Sequence, residues 1–183
     1  MIECSYSELK GKRTIITGDI GSGKTVLTRR LLMEAIELGE DVTVVDFAPK
    51  AQIINGVKVG GYLVDAELAC RVIKSGSVAT PRLSATDADE LLKLVDLNAG
   101  ITRSLLAEFN EDPTPVLIIN DTSIHLQSGE IEPIFMAVEK AATVILNGYI
   151  GEYLKEDHGT GLSSRERSLM QKLAQSMDRE IKL

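Results

Sequence analysis

Apolar residues in this chain follow two alternating rhythms. Four short runs are apolar or β-branched at nearly every position: Arg13-Thr14-Ile15-Ile16-Thr17, Val42-Thr43-Val44-Val45-Asp46, Val116-Leu117-Ile118-Ile119-Asn120-Asp121 and Thr143-Val144-Ile145-Leu146-Asn147. Runs of this kind predict strands buried on both faces. Between and after them, apolar positions recur at helical spacing. Leu27, Leu31, Ala35 and Leu38 predict a helix closed by Gly39, and Leu68, Val72 and Ile73 predict one over about 65–74, stopped by Gly76. Leu91, Leu92, Val95, Ile101 and Leu105 predict a longer one reaching about Phe109, with Ser84 and Thr86 as candidate caps. Ile131, Ile134, Phe135 and Val138 trace a further helix; Leu169, Leu173 and Met177 trace the last, with Ser163-Ser164-Arg165-Glu166 as its capping box. Val78-Ala79-Thr80 reads as a weak third strand limited by Pro81, and Glu180–Leu183 as a short edge strand.

Strands that alternate with helices imply βαβ crossovers, and therefore a mainly parallel sheet covered by helices on both faces. The expected fold class is α/β, a three-layer sandwich formed by residues 1–183 as a single domain. Ligands of such sheets sit at the carboxyl ends of the strands. That rule gathers the segments 18–25, 47–63, 80–85, 122–129 and 147–162 on one rim.

Composition narrows the function classes. With 44% hydrophobic and 26% charged residues, the chain has the make-up of a soluble globular protein, and its formal net charge of −7 lacks the basic stripe of a nucleic-acid surface. Small anionic ligands are not excluded, because they answer to local charge. Cys4 and Cys70 stand alone and predict reduced thiols. The first residues carry Glu3, Glu8, Lys10 and Lys12 in place of an apolar signal core, and no apolar run approaches membrane-spanning length, so the expected location is the cytoplasm.

The chemistry centres on Gly18-Asp19-Ile20-Gly21-Ser22-Gly23-Lys24-Thr25, which fits G-x-x-x-x-G-K-[ST] between a strand and a helix. Glycines permit backbone conformations in which successive N–H groups converge on an anion, and the helix adds its positive end. Lys24 is expected on the outer phosphates and the Thr25 hydroxyl on Mg²⁺.

Asp121, at the end of a buried apolar run, is the expected second Mg²⁺ partner. A carboxylate commonly follows it to orient an attacking water; here the next residue is Thr122. Asp46, at another strand end, is the candidate substitute base, with a capping role as the alternative. Asn147 closes the fifth strand, either to sense the terminal phosphate or to form a turn before Gly148. His125 and His158 read as surface loop histidines rather than a metal pair, and Arg165 and Arg167 as solvated unless 148–162 closes as a lid.

The phosphate loop, the strand to Asp121 and Asn147 at the end of the next strand resemble the P-loop NTPases with a RecA-like core. The layout is most similar to the P-loop cob(I)alamin adenosyltransferases, an architectural resemblance without residues that identify a corrinoid pocket. These resemblances imply a P-loop NTPase fold. The expectation is an ATP-binding, Mg²⁺-dependent ATPase with low intrinsic turnover, in which Lys24, Asp46 and Asn147 are the catalytic candidates. Two alternatives stay open: phosphoryl or adenosyl transfer from ATP to a small molecule, and a nucleotide-dependent switch that recruits a protein partner.

Overall fold

The computed structural model describes residues 4–54 and 56–183. In chain order its strands are β1 (Arg13–Gly18), β2 (Val42–Asp46), β3 (Gln52–Ile54), β4 (Val57–Val59), β5 (Arg71–Lys74), β6 (Val116–Asn120), β7 (Thr143–Tyr149) and β8 (Arg179–Lys182). Its helices are α1 (Tyr6–Leu9), α2 (Lys24–Glu37), α3 (Pro81–Ser84), α4 (Ala88–Glu111), α5 (Ser123–Leu126), α6 (Glu132–Val138) and α7 (Leu162–Gln175). Six strands form one sheet in the order β5-β2-β6-β7-β1-β8, with every neighbouring pair parallel. The two remaining strands pair with each other as a separate antiparallel hairpin.

Side chains of a strand alternate between faces, and here both faces are buried. Ile16, Val44, Ile118 and Ile145 pack with Leu27 and Leu31 of α2 on one side. Ile15, Val45, Ile119 and Leu146 pack with Leu105 of α4, Ile134 of α6 and Leu173 of α7 on the other. The result is a three-layer α/β sandwich. Its sheet and its strand–loop–helix start fit the RecA-like, phosphate-loop fold that the resemblance implies. Among the described residues, no helix is long and apolar enough to cross a membrane.

Several expectations need correction. The segment 65–74 is not a helix: its last four residues are β5, paired to β2. Val72 packs on one face of the sheet and Ile73 on the other, which is strand periodicity that Leu68 disguised as a helical stripe. Val78-Ala79-Thr80 is not a strand. Instead, the Asn98 side chain of α4 pairs with the Ala79 backbone, Oδ1 accepting from N–H at 2.8 Å and Nδ2 donating to the carbonyl at 3.0 Å. The connection 47–63 contains the β3–β4 hairpin, apart from Asn55, which lies outside the described residues. Leu38 is exposed beyond the end of α2. Ser163 is not a cap: α7 starts from Gly161, Asp157 accepts from the Ser163 N–H at 3.0 Å, and Glu166 is engaged elsewhere.

Candidate functional site

The carboxyl ends of β1, β2, β6 and β7 open onto a cavity of about 210 Å³. Its near wall is the phosphate loop. Gly21 and Gly23 have φ of 73° and 97°, a region L side chains rarely adopt, and Gly23 is the N-cap from which Lys24 begins α2. The orphan N–H groups of the first helical turn therefore face this space together with the positive helix end. Lys24 Nζ donates to the Asp19 carbonyl at 2.6 Å. Burial pushes the Lys24 amine down, while the charges of Asp121 and Asp19 pull it back up. Ser22 Oγ is buried without a hydrogen-bond partner, and Thr25 lines the cavity from an exposed position.

The far wall is built by Asp121. It follows β6 with φ of 57°, a left-handed conformation that aspartate tolerates better than most residues. Three hydrogen bonds fix this turn. The Asp121 N–H donates to Asn147 Oδ1 at 2.8 Å, the Thr122 N–H donates to the Asn147 carbonyl at 2.8 Å, and Ser123 Oγ donates to Asp121 Oδ1 at 2.9 Å. Burial raises the pKa of the carboxyl; the Ser123 hydroxyl and the charges of Lys24 and Arg82 oppose the rise.

Asn147 does not end its strand, since β7 continues to Tyr149. It is 2% exposed, and its Nδ2 donates to Thr28 Oγ1 and to Asn120 Oδ1, both at 2.9 Å. Asn120 Nδ2 in turn donates to Asp46 Oδ1 at 2.8 Å. A continuous polar chain thus ties β2, β6 and β7 to α2 directly beneath the cavity, and its members order one another.

Asp46 sits at the closed end of that chain. It is fully buried and does not line the cavity. Its carboxylate accepts from the Ala48 N–H at 3.0 Å and the Leu63 N–H at 2.6 Å as well as from Asn120. Burial lifts its pKa to about 6, against the pull of those three donors. The structure therefore brings Lys24, Thr25, Asp121 and Asn147 to one cavity and leaves Asp46 behind its wall.

Four features escaped the sequence reading. Asn120 is the link between Asp46 and Asn147. Asp19 Oδ2 accepts from the Glu152 N–H at 2.9 Å, which ties the phosphate loop to the 148–162 connection. Arg82 and Glu166 form a buried ion pair, with Arg82 Nη2 2.8 Å from both carboxylate oxygens and side chains 4% and 2% exposed. His125 is not a surface residue: it is fully buried in α5, hydrogen-bonded through Nδ1 to Thr102 Oγ1 at 2.7 Å. Only a polar residue closing an apolar run hinted at Asn120. The Arg82–Glu166 contact, between residues 84 apart, left no local signal. Arg165 and Arg167 are also engaged, donating to the Gln127 and Gly151 carbonyls at 2.7 and 2.5 Å. Among the described residues, no cluster of His, Cys, Asp and Glu could hold a metal by itself, and His125 and His158 lie in separate contacts.

The donor set suits an anion accompanied by a divalent cation. Helix N–H groups and a lysine amine flank the anion's place, and an alcohol and a carboxylate, Thr25 and Asp121, share the cavity.

No protein-family model and no curated protein matches the chain. Among solved structures it is similar to the flagellar accessory protein FlaH from Methanocaldococcus jannaschii, at 14% identity and a TM-score of 0.48, over 94% of this chain and 71% of that one. The likeness concerns the chain path alone; the fold stands on the sheet order and the strand–loop–helix geometry given above. The adenosyltransferase resemblance is not shown by these comparisons.

Proposed function

We propose that this chain binds ATP with Mg²⁺ and hydrolyses it slowly on its own. One observation carries the reading: Lys24 and Asp121 face a single cavity at the N-terminus of α2, close enough that each charge shifts the other's protonation. In this reading the backbone amides from Asp19 to Thr25 and the Lys24 amine neutralise phosphate oxygens. Thr25 and Asp121 would hold Mg²⁺, which would supply positive charge against the phosphates. Asn147 aims Asp121 by holding its backbone N–H. Asp46 acts as a clamp for the Ala48 and Leu63 backbones and not as a base, because all its donors are already protein groups. Phosphoryl transfer to a small molecule is a second reading, favoured by the extension of the cavity past Asp121 to Leu83 and Leu154.

Calorimetric titration of ATP, ADP and GTP with and without Mg²⁺ tests the reading. Lys24→Ala removes a charge-assisted contact worth about 1.5–3 kcal/mol, so affinity should fall by roughly ten- to a hundredfold with the fold intact. Asp121→Asn should remove only the Mg²⁺-dependent part. Equal nucleotide affinity in wild type and Lys24→Ala would sink the assignment of the loop.

A further inference from the structure

Asn120 stands between two parts of the site that are far apart in sequence. Its Nδ2 donates to Asp46 Oδ1 at 2.8 Å, and its Oδ1 accepts from Asn147 Nδ2 at 2.9 Å. Asn147 Oδ1 accepts in turn from the Asp121 N–H at 2.8 Å. Asp46, Asn120 and Asn147 are buried, so these bonds run through protein rather than solvent.

One arrangement of the two amides satisfies every partner. Ionised Asp46 can only accept, and it also takes the Ala48 and Leu63 N–H groups, so the Asn120 NH₂ must face it. Asn120 Oδ1 is thereby turned toward Asn147. The Asn147 NH₂ divides between that oxygen and Thr28 Oγ1, whose own hydrogen goes to the Lys24 carbonyl at 2.8 Å. Turning Asn147 over would set its NH₂ against the Asp121 N–H, donor against donor. Turning Asn120 over would do the same against Asn147 and bring its oxygen up to the carboxylate. The relay therefore runs in one direction, from the Asp121 N–H to Asp46, and neither amide can turn alone.

At its closed end the relay meets the 47–63 segment. Ala48 and Leu63, held by the two Asp46 oxygens, bracket the β3–β4 hairpin, and residues 58–61 of the bracketed stretch line the cavity. A two-stranded hairpin is marginally stable by itself, so its place over the cavity depends on that bracket. The carboxylate that holds the bracket also holds, through Asn120 and Asn147, the turn that presents Asp121.

We propose that Asn120 is a positioning residue that couples the 47–63 segment to Asp121, so that the order of each depends on the other. Such coupling is reciprocal: whatever orders the segment also orders the Asp121 turn. The inference rests on the nucleotide reading for one point only, that the Asp121 carboxylate serves Mg²⁺.

Amide exchange followed by NMR tests it in the full chain without ligand, above pH 7 and so clear of the Asp46 pKa of about 6. Asp46→Asn leaves Asn120, Asn147 and Asp121 unchanged. It should nevertheless speed exchange at the Asp121 N–H about fivefold, the worth of one hydrogen bond, with the amides of β1 unaffected. In Asn120→Ala the Asp121 amide should already exchange faster, and adding Asp46→Asn should change it no further. Should Asn120→Ala not fold, Asn120→Ser, too short to span from Asp46 to Asn147, takes its place. No effect of Asp46→Asn at Asp121, or acceleration shared equally by β1, overturns the proposal. So does an effect that persists without Asn120, since it would then travel through charge and not through the relay.

ATP titration with and without Mg²⁺ reads the positioning role separately. Asn120→Ala should cut the Mg²⁺-dependent gain in affinity about fivefold and leave Mg²⁺-free binding as it is, a split that a merely structural role does not produce. An undiminished gain overturns the positioning role. A wild type without any such gain, with the exchange coupling intact, removes the Mg²⁺ reading and leaves the coupling standing.

Discussion

The Asp19 carboxylate and the Glu152 backbone N–H are hydrogen-bonded at 2.9 Å, so the second residue of the phosphate loop holds the 148–162 connection across the site. The other carboxylate oxygen accepts from the Ile20 N–H at 2.7 Å, and these bonds hold the acid below its usual pKa. Gly151 lies against the same carboxylate so closely that any Cβ there would collide with it. Arg167 closes the arrangement from α7, with Nη2 2.8 Å from Glu152 Oε1. The 148–162 connection is thus latched to the phosphate loop.

The latch predicts a local effect. Asp19→Ala should raise amide exchange at Glu152 by roughly tenfold while exchange in β1 and β6 stays unchanged, because only the connection loses its anchor. Hydrogen-exchange mass spectrometry measures it, and unchanged protection over 150–153 would refute the latch.

His125 sets an acid limit on stability. Thr102 Oγ1 lies 2.8 Å from the Asn98 carbonyl and 2.7 Å from His125 Nδ1, with which it shares a hydrogen bond, and Nε2 is left buried without a partner. Burial accordingly lowers its pKa from 6.5 to about 4. Between those values the unfolded chain binds the proton and the folded chain does not, so stability falls as pH drops through that window. Relative to His125→Asn, wild type should lose about 3 kcal/mol between pH 7 and pH 4. Urea unfolding of both proteins across that range is the check; parallel curves would mean that His125 is charged in the fold.

Asp46 titrates with the opposite sign. Its folded pKa is raised from 3.8 to about 6, so the folded chain binds the extra proton, and stability is lost as pH rises through that interval. The difference between Asp46→Asn and wild type should therefore move by roughly 2.4 kcal/mol in favour of the variant from pH 4 to pH 7, whatever its starting offset. A difference that does not change with pH would show that the three donors to this carboxylate outweigh its burial.

What the sequence made legible follows from the range of the forces involved. β1, β2, β6 and β7 are buried on both faces, so most residues in them are apolar or β-branched and no register or partner is needed to recognise them. The phosphate loop is legible because its constraint is local: positive φ at Gly21 and Gly23 and a helix start at Lys24. β5 was missed because a four-residue edge strand pairs on one side only, and its alternation is too short to outweigh a chance helical spacing. The role of Asp46 was illegible for another reason. Its carboxylate binds Leu63 and Asn120, 17 and 74 residues away, and no spacing within the chain announces such a pairing.

The last prediction concerns rate. Transfer of a phosphoryl group to water requires charge neutralisation and an oriented nucleophile, and a supplied arginine finger alone can be worth 10³–10⁵ in rate. Lys24 and Asp121 face the cavity and can deal with charge. Orientation has no evident provider. Thr122 follows Asp121 with a buried hydroxyl, Asp46 lies behind the wall with both oxygens occupied, and Arg82, a cation that lines the cavity, is locked to Glu166, Leu154 and Ser163. The purified chain should therefore bind ATP yet turn it over far more slowly than about 1 s⁻¹. Glu166→Gln weakens the hold on Arg82 and leaves Lys24 and Asp121 in place, so turnover should rise with little change in ATP affinity. A coupled assay of phosphate release, with affinity measured in parallel, reads both quantities. Hydrolysis by the wild type at about 1 s⁻¹ or faster would show that water is already oriented, and Glu166→Gln with turnover unchanged would show that Arg82 does not limit the rate.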